Sequence, residues 1–317
     1  MASSATTHET DRLELARLPS GHTVDATLHR YRGRQPGPTV YLQALQHGGE
    51  VNGPEVLRRL HDRLQERTLE GTVVAVPIAN PLAFDHREYR APRRLDAIHS
   101  NMNRIWPGDP NGSLLERMVD RLWSVAGEAD AIVDLHTGGP YMLSHTRYTR
   151  GNRQSKELAT AFGIDTIVEG GEPADDGDQS PQGKLRTIGA REGVPTITPE
   201  LSHSREIVED SVEAGVGGVE NVLTAVDVLD GTVPENDPTV ATEKESVFVE
   251  ASGLFRSFDV EVGDTVDPGT AIGEIFDPRT YEVRQLVEVD RAGMILTLNR
   301  GSTVMEGETV ASIVDVS

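Results

Sequence analysis

Along the first 230 residues of this chain, short β-branched and apolar runs alternate with stretches whose apolar positions recur every three or four residues. Thr39–Leu45, Thr72–Val76, Ala131–Leu135, Thr166–Glu169 and Pro195–Thr198 read as short buried strands. Between them Pro54–Gln65, Leu114–Trp123, Ser155–Phe162 and Gly217–Leu229 have helical spacing, with Asn52, Asn111 and Gly151–Ser155 offering starts. Strands that alternate with helices predict an α/β domain, a mixed and mostly parallel sheet with flanking helices. Residues 1–15 are polar and read as a frayed, disordered tail. Residues 170–181 form a polar loop long enough for a lid or a solvated connection.

The pattern changes at Gly231–Ser246, which is acidic, punctuated by proline and without periodicity. A domain boundary is expected there, dividing a catalytic domain at 16–232 from a second domain at 246–317. Beyond it come short strands with glycine turns, and two segments repeat at a constant offset of 38 residues: Gly263/Gly301, Val266/Val304, Gly269/Gly307, Ile275/Ile313 and Asp277/Asp315. This duplication resembles the two halves of a lipoyl-like barrel-sandwich domain, which implies an all-β unit. Carrier domains of that family are modified on a lysine at a hairpin tip. No lysine follows Lys244, so the expected role is structural or gating.

With 37% hydrophobic residues, the 317-residue chain has enough apolar material for a core despite a net charge of -21. So anionic a surface repels phosphate backbones and anionic lipid, and neither nucleic acid nor membrane is expected as a partner. No apolar run reaches the roughly 18 residues of a membrane span, and the N-terminus lacks the apolar stretch of a signal peptide. A soluble, cytoplasmic protein is expected. There are only three lysines, Lys156, Lys184 and Lys244, leaving 27 of the 30 basic residues as arginine. Acidic excess with scarce lysine resembles the proteins of salt-accumulating halophiles, in which concentrated cations screen the self-repulsion.

The absence of cysteine confines any metal to His, Asp and Glu. Two of the ten histidines directly follow predicted strands in glycine-rich surroundings, at His47-Gly-Gly-Glu50 and His136-Thr-Gly-Gly139. Ligands gather at the carboxyl ends of strands in α/β sheets, so both stand where an active site is expected. His47 and Glu50 on one tight turn can reach a single ion, and His136 completes a His2Glu set that leaves a fourth position open. Two further segments converge on the same region. Asn103-Arg104, within Asn101–Gly108, pairs an amide with a guanidinium able to clamp a carboxylate. Glu200 ends an apolar strand, where it can act as a general base.

Taken in order, HGGE, MNRIWPG, DLH and TPEL resemble the zinc-carboxypeptidase-like fold, and within it the succinylglutamate desuccinylase/aspartoacylase branch, over about residues 35–230. The resemblance implies one zinc per chain on His47, Glu50 and His136, with Glu200 as base and Asn103 and Arg104 binding the substrate carboxylate. It also implies an upstream arginine that polarises the scissile carbonyl, a place open to Arg93, Arg94 or Arg90. Pro199 before the base, Met102 for the usual leucine and Ser202-His203 where glycine is common depart from the pattern and bear on pocket shape. The implied activity is hydrolysis of the amide bond of a small N-acyl amino acid, in a chain compatible with homo-oligomerisation. A peptidase of the same fold and a non-catalytic binding protein are the rival readings. A compatible-solute derivative as substrate would suit halophily, though no residue speaks for it.

Overall fold

The computed structural model describes residues 6–139, 141–171, 182–203 and 205–316. Elements follow in the order β1 (Thr7–Arg17), β2 (Thr23–Arg32), β3 (Gln35–Ala44), α1 (Asn52–Glu66), β4 (Glu70–Val76), α2 (Pro81–Asp85), α3 (Leu114–Ala126), β5 (Ala131–Gly138), β6 (His145–Thr149), α4 (Arg153–Phe162), β7 (Thr166–Gly170), α5 (Leu185–Arg191), β8 (Thr196–His203) and α6 (Glu209–Ala225). A large mixed sheet runs β1-β2-β4-β3-β5-β8-β6-β7, parallel through β4-β3-β5-β8 and in the pair β6-β7, antiparallel elsewhere. No helix among the described residues is long and apolar enough to cross a membrane.

Both faces of the central strands are buried, which is why they read as apolar runs rather than alternations. Val40, Leu42 and Ala44 of β3 with Val133 and Leu135 of β5 pack under α1, α4 and α6. Tyr41 and Ile132 face the other way, among Met118, Val119 and Leu122 of α3. This parity decides the chemistry. On β5 the residues of the Ile132 face are next Asp134 and then His136, so two polar groups emerge on one face as the strand reaches its carboxyl end.

Four expectations change. Residues 7–15 are not a tail but most of β1, paired with β2 from Thr7↔Arg32 to Arg17↔Thr23. The strand reads as disordered because it is an edge whose first half is polar, paired across the ladder by Arg12–Asp25, Arg30–Asp11 and Arg32–Glu9, while only Leu13, Leu15 and Ala16 near its end reach the core. Helix α6 starts eight residues before the predicted Gly217. Gly215 and Gly218 lower its helix propensity, yet each is needed for close approach: a Cβ would lie 2.6 Å from Val56 and 2.5 Å from Phe162, respectively. Asn52 does begin α1, but its side chain is no cap; Nδ2 donates to Leu201 O and Oδ1 accepts from Val208 N, tying the helix to the end of β8. The acidic linker also ends sooner than expected, because β9 (Thr239–Phe248) pairs in parallel with β7. Of the predicted loop 170–181, residues 172–181 lie outside the described residues.

The C-terminal region adds β10 (Gly253–Ser257), β11 (Thr265–Val266), β12 (Ala271–Phe276), β13 (Val283–Glu288), β14 (Gly293–Leu298), β15 (Ser302–Val304) and β16 (Thr309–Val316). Strands β9-β16-β14-β11 extend the large sheet, while β13-β12-β10-β15 form a separate antiparallel sheet, and Phe255, Ile275, Ile295 and Ile313 meet in one core between them. The sequence repeat is visible in the pairing. β11 pairs with β14 and β15 with β10, so each half lends its short strand to the other's sheet. The repeated glycines 263, 269, 301 and 307 all take positive φ, which explains why the duplication kept them.

Candidate metal centre and its cleft

His47, Glu50 and His136 come together, each buried, with one ligand atom of each within 4.8 Å of the others. The turn after β3 begins at Leu45, a buried leucine held at φ 56°, which swings Gln46 and His47 off the strand line. Glu50 Oε1 lies 2.8 Å from His47 Nδ1, and Oε2 lies 2.9 Å from His136 Nδ1. Both inner ring nitrogens therefore converge on one carboxylate.

The outer nitrogens are anchored. His136 Nε2 is 3.0 Å from Asp134 Oδ2, and His47 Nε2 is 3.1 Å from Asn101 Oδ1. Asp134 is fixed in turn by Gln43 Nε2 at 2.9 Å and Gln46 Nε2 at 2.7 Å, and Trp106 Nε1 donates to Gln46 Oε1 at 2.8 Å. A carboxylate or amide oxygen behind each imidazole can keep a proton on Nε2 when a metal displaces the one on Nδ1, the outer support that metal-binding histidines use. Burial alone would raise the Glu50 carboxyl, but the imidazoles of His136 and His47 outweigh it and bring it down to about 2. Burial would likewise lower His136, yet Asp134 and Glu50 hold it well above its ordinary value. Such a cluster attracts a cation strongly. The donor set, two imidazoles and a carboxylate, fits zinc.

Glu200 stands one strand away, since β5 and β8 pair His136 with Glu200, and β6 pairs His145 with it from the other side. Around it lies a group that the sequence reading missed. Arg147 Nε is 3.8 Å from Glu200 Oε1, and a Cβ on Gly170 would lie 3.8 Å from both Arg147 Nη1 and Arg186 Nη2. Arg186 is 3% exposed, and its Nε and Nη2 have no hydrogen-bond partner among the described residues. Burial, then Arg147, push it down to about 10; burial, then Arg186, Arg104, Arg147 and Lys244, push Lys184 down to about 8. His145 stays neutral, lowered by burial and these cations, so its Nε2 accepts from Arg147 Nε at 3.0 Å. Five cations, Arg104, Arg147, Lys184, Arg186 and Lys244, lie within electrostatic reach of one another in a chain of net charge -21, with two of its three lysines among them. Arg104 stands in the MNRIWPG motif, but only position could have revealed the other four, because none of them sits in a motif.

Asn103 is buried against the centre, its Oδ1 accepting from Leu185 N and its Nδ2 3.4 Å from His136 Nε2. Arg104 is exposed, with Nη1 2.5 Å from the Asn103 carbonyl. Arg93 makes no hydrogen bond or ion pair with any described residue, and Arg94 turns to His86 at 3.5 Å. Arg90 instead adjoins Tyr89, whose ring stacks on His47 at 4.1 Å. The cleft, about 480 Å³, is bordered by Gly49, Tyr89, Gly139, Tyr141 and Arg205. Of the non-glycine described residues at positive φ, Arg87, Tyr141 and Arg205 line it, and Ser202 adjoins its wall residue His203, so backbone strain gathers where the site is built. Ser202, of the Ser202-His203 pair that departs from the expected glycine, takes φ 58°.

Fold and site thus define a mixed α/β protein with a buried His2Glu cluster, able to hold a metal, at the carboxyl edge of its sheet. The chain belongs to the succinylglutamate desuccinylase/aspartoacylase catalytic-domain family, whose profile matches residues 36–226. It is 29% identical over 298 residues to the N-alpha-acetyl-L-2,4-diaminobutyric acid deacetylase of Halomonas elongata, covering 89% of this chain and 84% of that one. The product-bound ectoine utilization protein EutE of Ruegeria pomeroyi superposes with a TM-score of 0.83 at 23% identity over 98% of this chain and 96% of that one. A succinylglutamate desuccinylase/aspartoacylase of Rhodobacter sphaeroides does so with a TM-score of 0.82 at 24% identity, over 100% and 97%.

Proposed function

We propose that the protein is a zinc-dependent hydrolase that cleaves the amide bond of small N-acyl amino acids, with His47, Glu50 and His136 as metal ligands. The observation that carries this reading is the convergence of both Nδ1 atoms on Glu50, one strand from Glu200. Zinc bound there would supply Lewis acidity to the scissile carbonyl and to the attacking water. Glu200 takes the proton of that water and returns it to the leaving amine. Asn103, buried beside His136, orients the bound substrate. Arg104 and Arg186 hold its carboxylate, since a buried guanidinium whose Nε and Nη2 find no partner among the described residues is stabilised by an incoming anion. Of the upstream arginines, Arg90 has the best claim to the carbonyl oxygen, through its place beside Tyr89.

Five cations speak for substrates with a second carboxylate, whereas the Halomonas relative is named for an acyl amino acid that carries an amine. A panel of N-acetylaspartate, N-succinylglutamate and Nα-acetyl-2,4-diaminobutyrate, assayed with zinc in molar KCl, decides between them. Turnover of none of these, with cleavage of extended peptides, would replace this reading by the peptidase. Against the peptidase stands the C-terminal region: Leu298 N donates to Tyr141 O at 2.9 Å and Arg300 lies over the Tyr141 ring at 5.0 Å, narrowing the cleft. The acidic, lysine-poor surface is read as an adaptation to high salt in a cytoplasmic enzyme.

A further inference from the structure

Three more of the ten histidines meet at the far edge of the sheet, well away from the cleft. His8 on β1, His29 on β2 and His61 on α1 each place one ring nitrogen within 4.8 Å of the other two. His8 Nε2 is 3.1 Å from His29 Nδ1. The rings pack together, His8 on Tyr31 at 4.7 Å and His8 edge-on to His61 at 4.8 Å. Tyr31 Oη is 2.7 Å from His61 Nδ1 and thereby sets that ring, while the exposed Gln65 meets Nε2 at 2.9 Å. Beside the rings is a cavity of about 250 Å³ with Pro54, Leu57, Ala75 and Pro77 on its walls.

We infer that His8, His29 and His61 form a second divalent transition-metal site, one that takes zinc and ties the edge strand β1 to α1. Three imidazoles with an open fourth position are a recognised zinc donor set, and nitrogens about 3.4 Å apart around one tetrahedral ion follow from Zn–N bonds of about 2.1 Å. The 3.1 Å pair is close to that spacing, and His61 is half-buried, with only the exposed Gln65 to displace from its Nε2 before the ring closes the remainder. The nearest fixed charges do not oppose a cation: Asp62 adjoins Tyr31, and Arg58, on the cavity wall, is engaged by Glu55 at 2.7 Å and 2.8 Å.

The test is zinc stoichiometry of the tag-free full chain at pH 7.5, followed by titration with Zn2+ after the first equivalent is bound. The parent should take two equivalents and release one at pH 5.5, and His61→Ala should take one while keeping its deacylase activity. Added zinc should raise the melting temperature of the parent and leave that of His61→Ala unmoved. The double variant His8→Gln/His29→Gln repeats the loss on the strand side, and if it fails to fold, His61→Ala alone decides. One equivalent in the parent, or two in His61→Ala, overturns the inference and leaves the three rings as a hydrogen-bonded ladder.

Discussion

The two histidine clusters differ in what stands beside the rings. At the inner centre His47 is 4% and His136 3% exposed, a carboxylate lies between them, and Asp134 and Asn101 stand behind. At the outer cluster the rings are half-buried, no carboxylate lies among them, and a tyrosine and a glutamine are the neighbours. Burial lowers the proton affinity of His8 and His29, yet at His136 two buried carboxylates reverse the same effect. Imidazoles alone thus do not define a reactive site. The carboxylates do, by concentrating negative charge where solvent cannot screen it, with Glu200, the proposed base, one strand away.

The largest effect separates chemistry from binding. Glu200→Gln should lower turnover by about two orders of magnitude or more while metal content stays at the parent level, because an amide cannot accept the water proton. Retained turnover would move the base elsewhere. Asp134→Asn should weaken zinc at the inner centre by about 10- to 100-fold, the usual cost of losing an outer carboxylate, and leave any outer binding untouched. Equilibrium titration against a chelator measures it; an unchanged affinity would reduce Asp134 to a packing role.

The outer cluster should reveal itself in metal-free protein through pH. His8 and His29 have lowered values in the folded state and an ordinary 6.5 when unfolded, so below about pH 6.5 the unfolded chain binds the extra protons and stability falls. Denaturant melts from pH 8 to 5 should show a shallower decline in His8→Gln/His29→Gln than in the parent. Parallel curves would mean that the rings titrate alike folded and unfolded. Molar KCl should raise the melting temperature, since salt shortens the screening length to about 3 Å at 1 M and relieves carboxylate repulsion on the surface, while the buried inner cluster is screened less. A falling midpoint would remove the halophilic reading. The smallest effect expected is at Ser202→Gly, which removes a left-handed strain of about 1 kcal/mol and loses part of it to chain entropy, for a gain near 0.5 kcal/mol by melting.

The buried strands and the four motifs were legible in the sequence because they are local: a fully buried strand must be apolar along its length, and His47-x-x-Glu50 shares one turn. So was the duplication, whose glycines are required by positive φ. What only the tertiary structure decided was which distant residues share a face. The first half of β1 is polar because it is an edge paired through cross-strand ion pairs, invisible until β2 is placed beside it, and only Leu13, Leu15 and Ala16 near its end reach the core. Lys184, Arg186, Arg147 and Lys244 come from α5, its N-terminal boundary and two strands, and carry no spacing that links them. His8, His29 and His61 are likewise scattered in the chain and adjacent only through the β1–β2 register and the packing of α1. Sequence carries what a turn or a strand imposes on its own residues, whereas charge and metal affinity depend on distances that exist only once the sheet has closed its register.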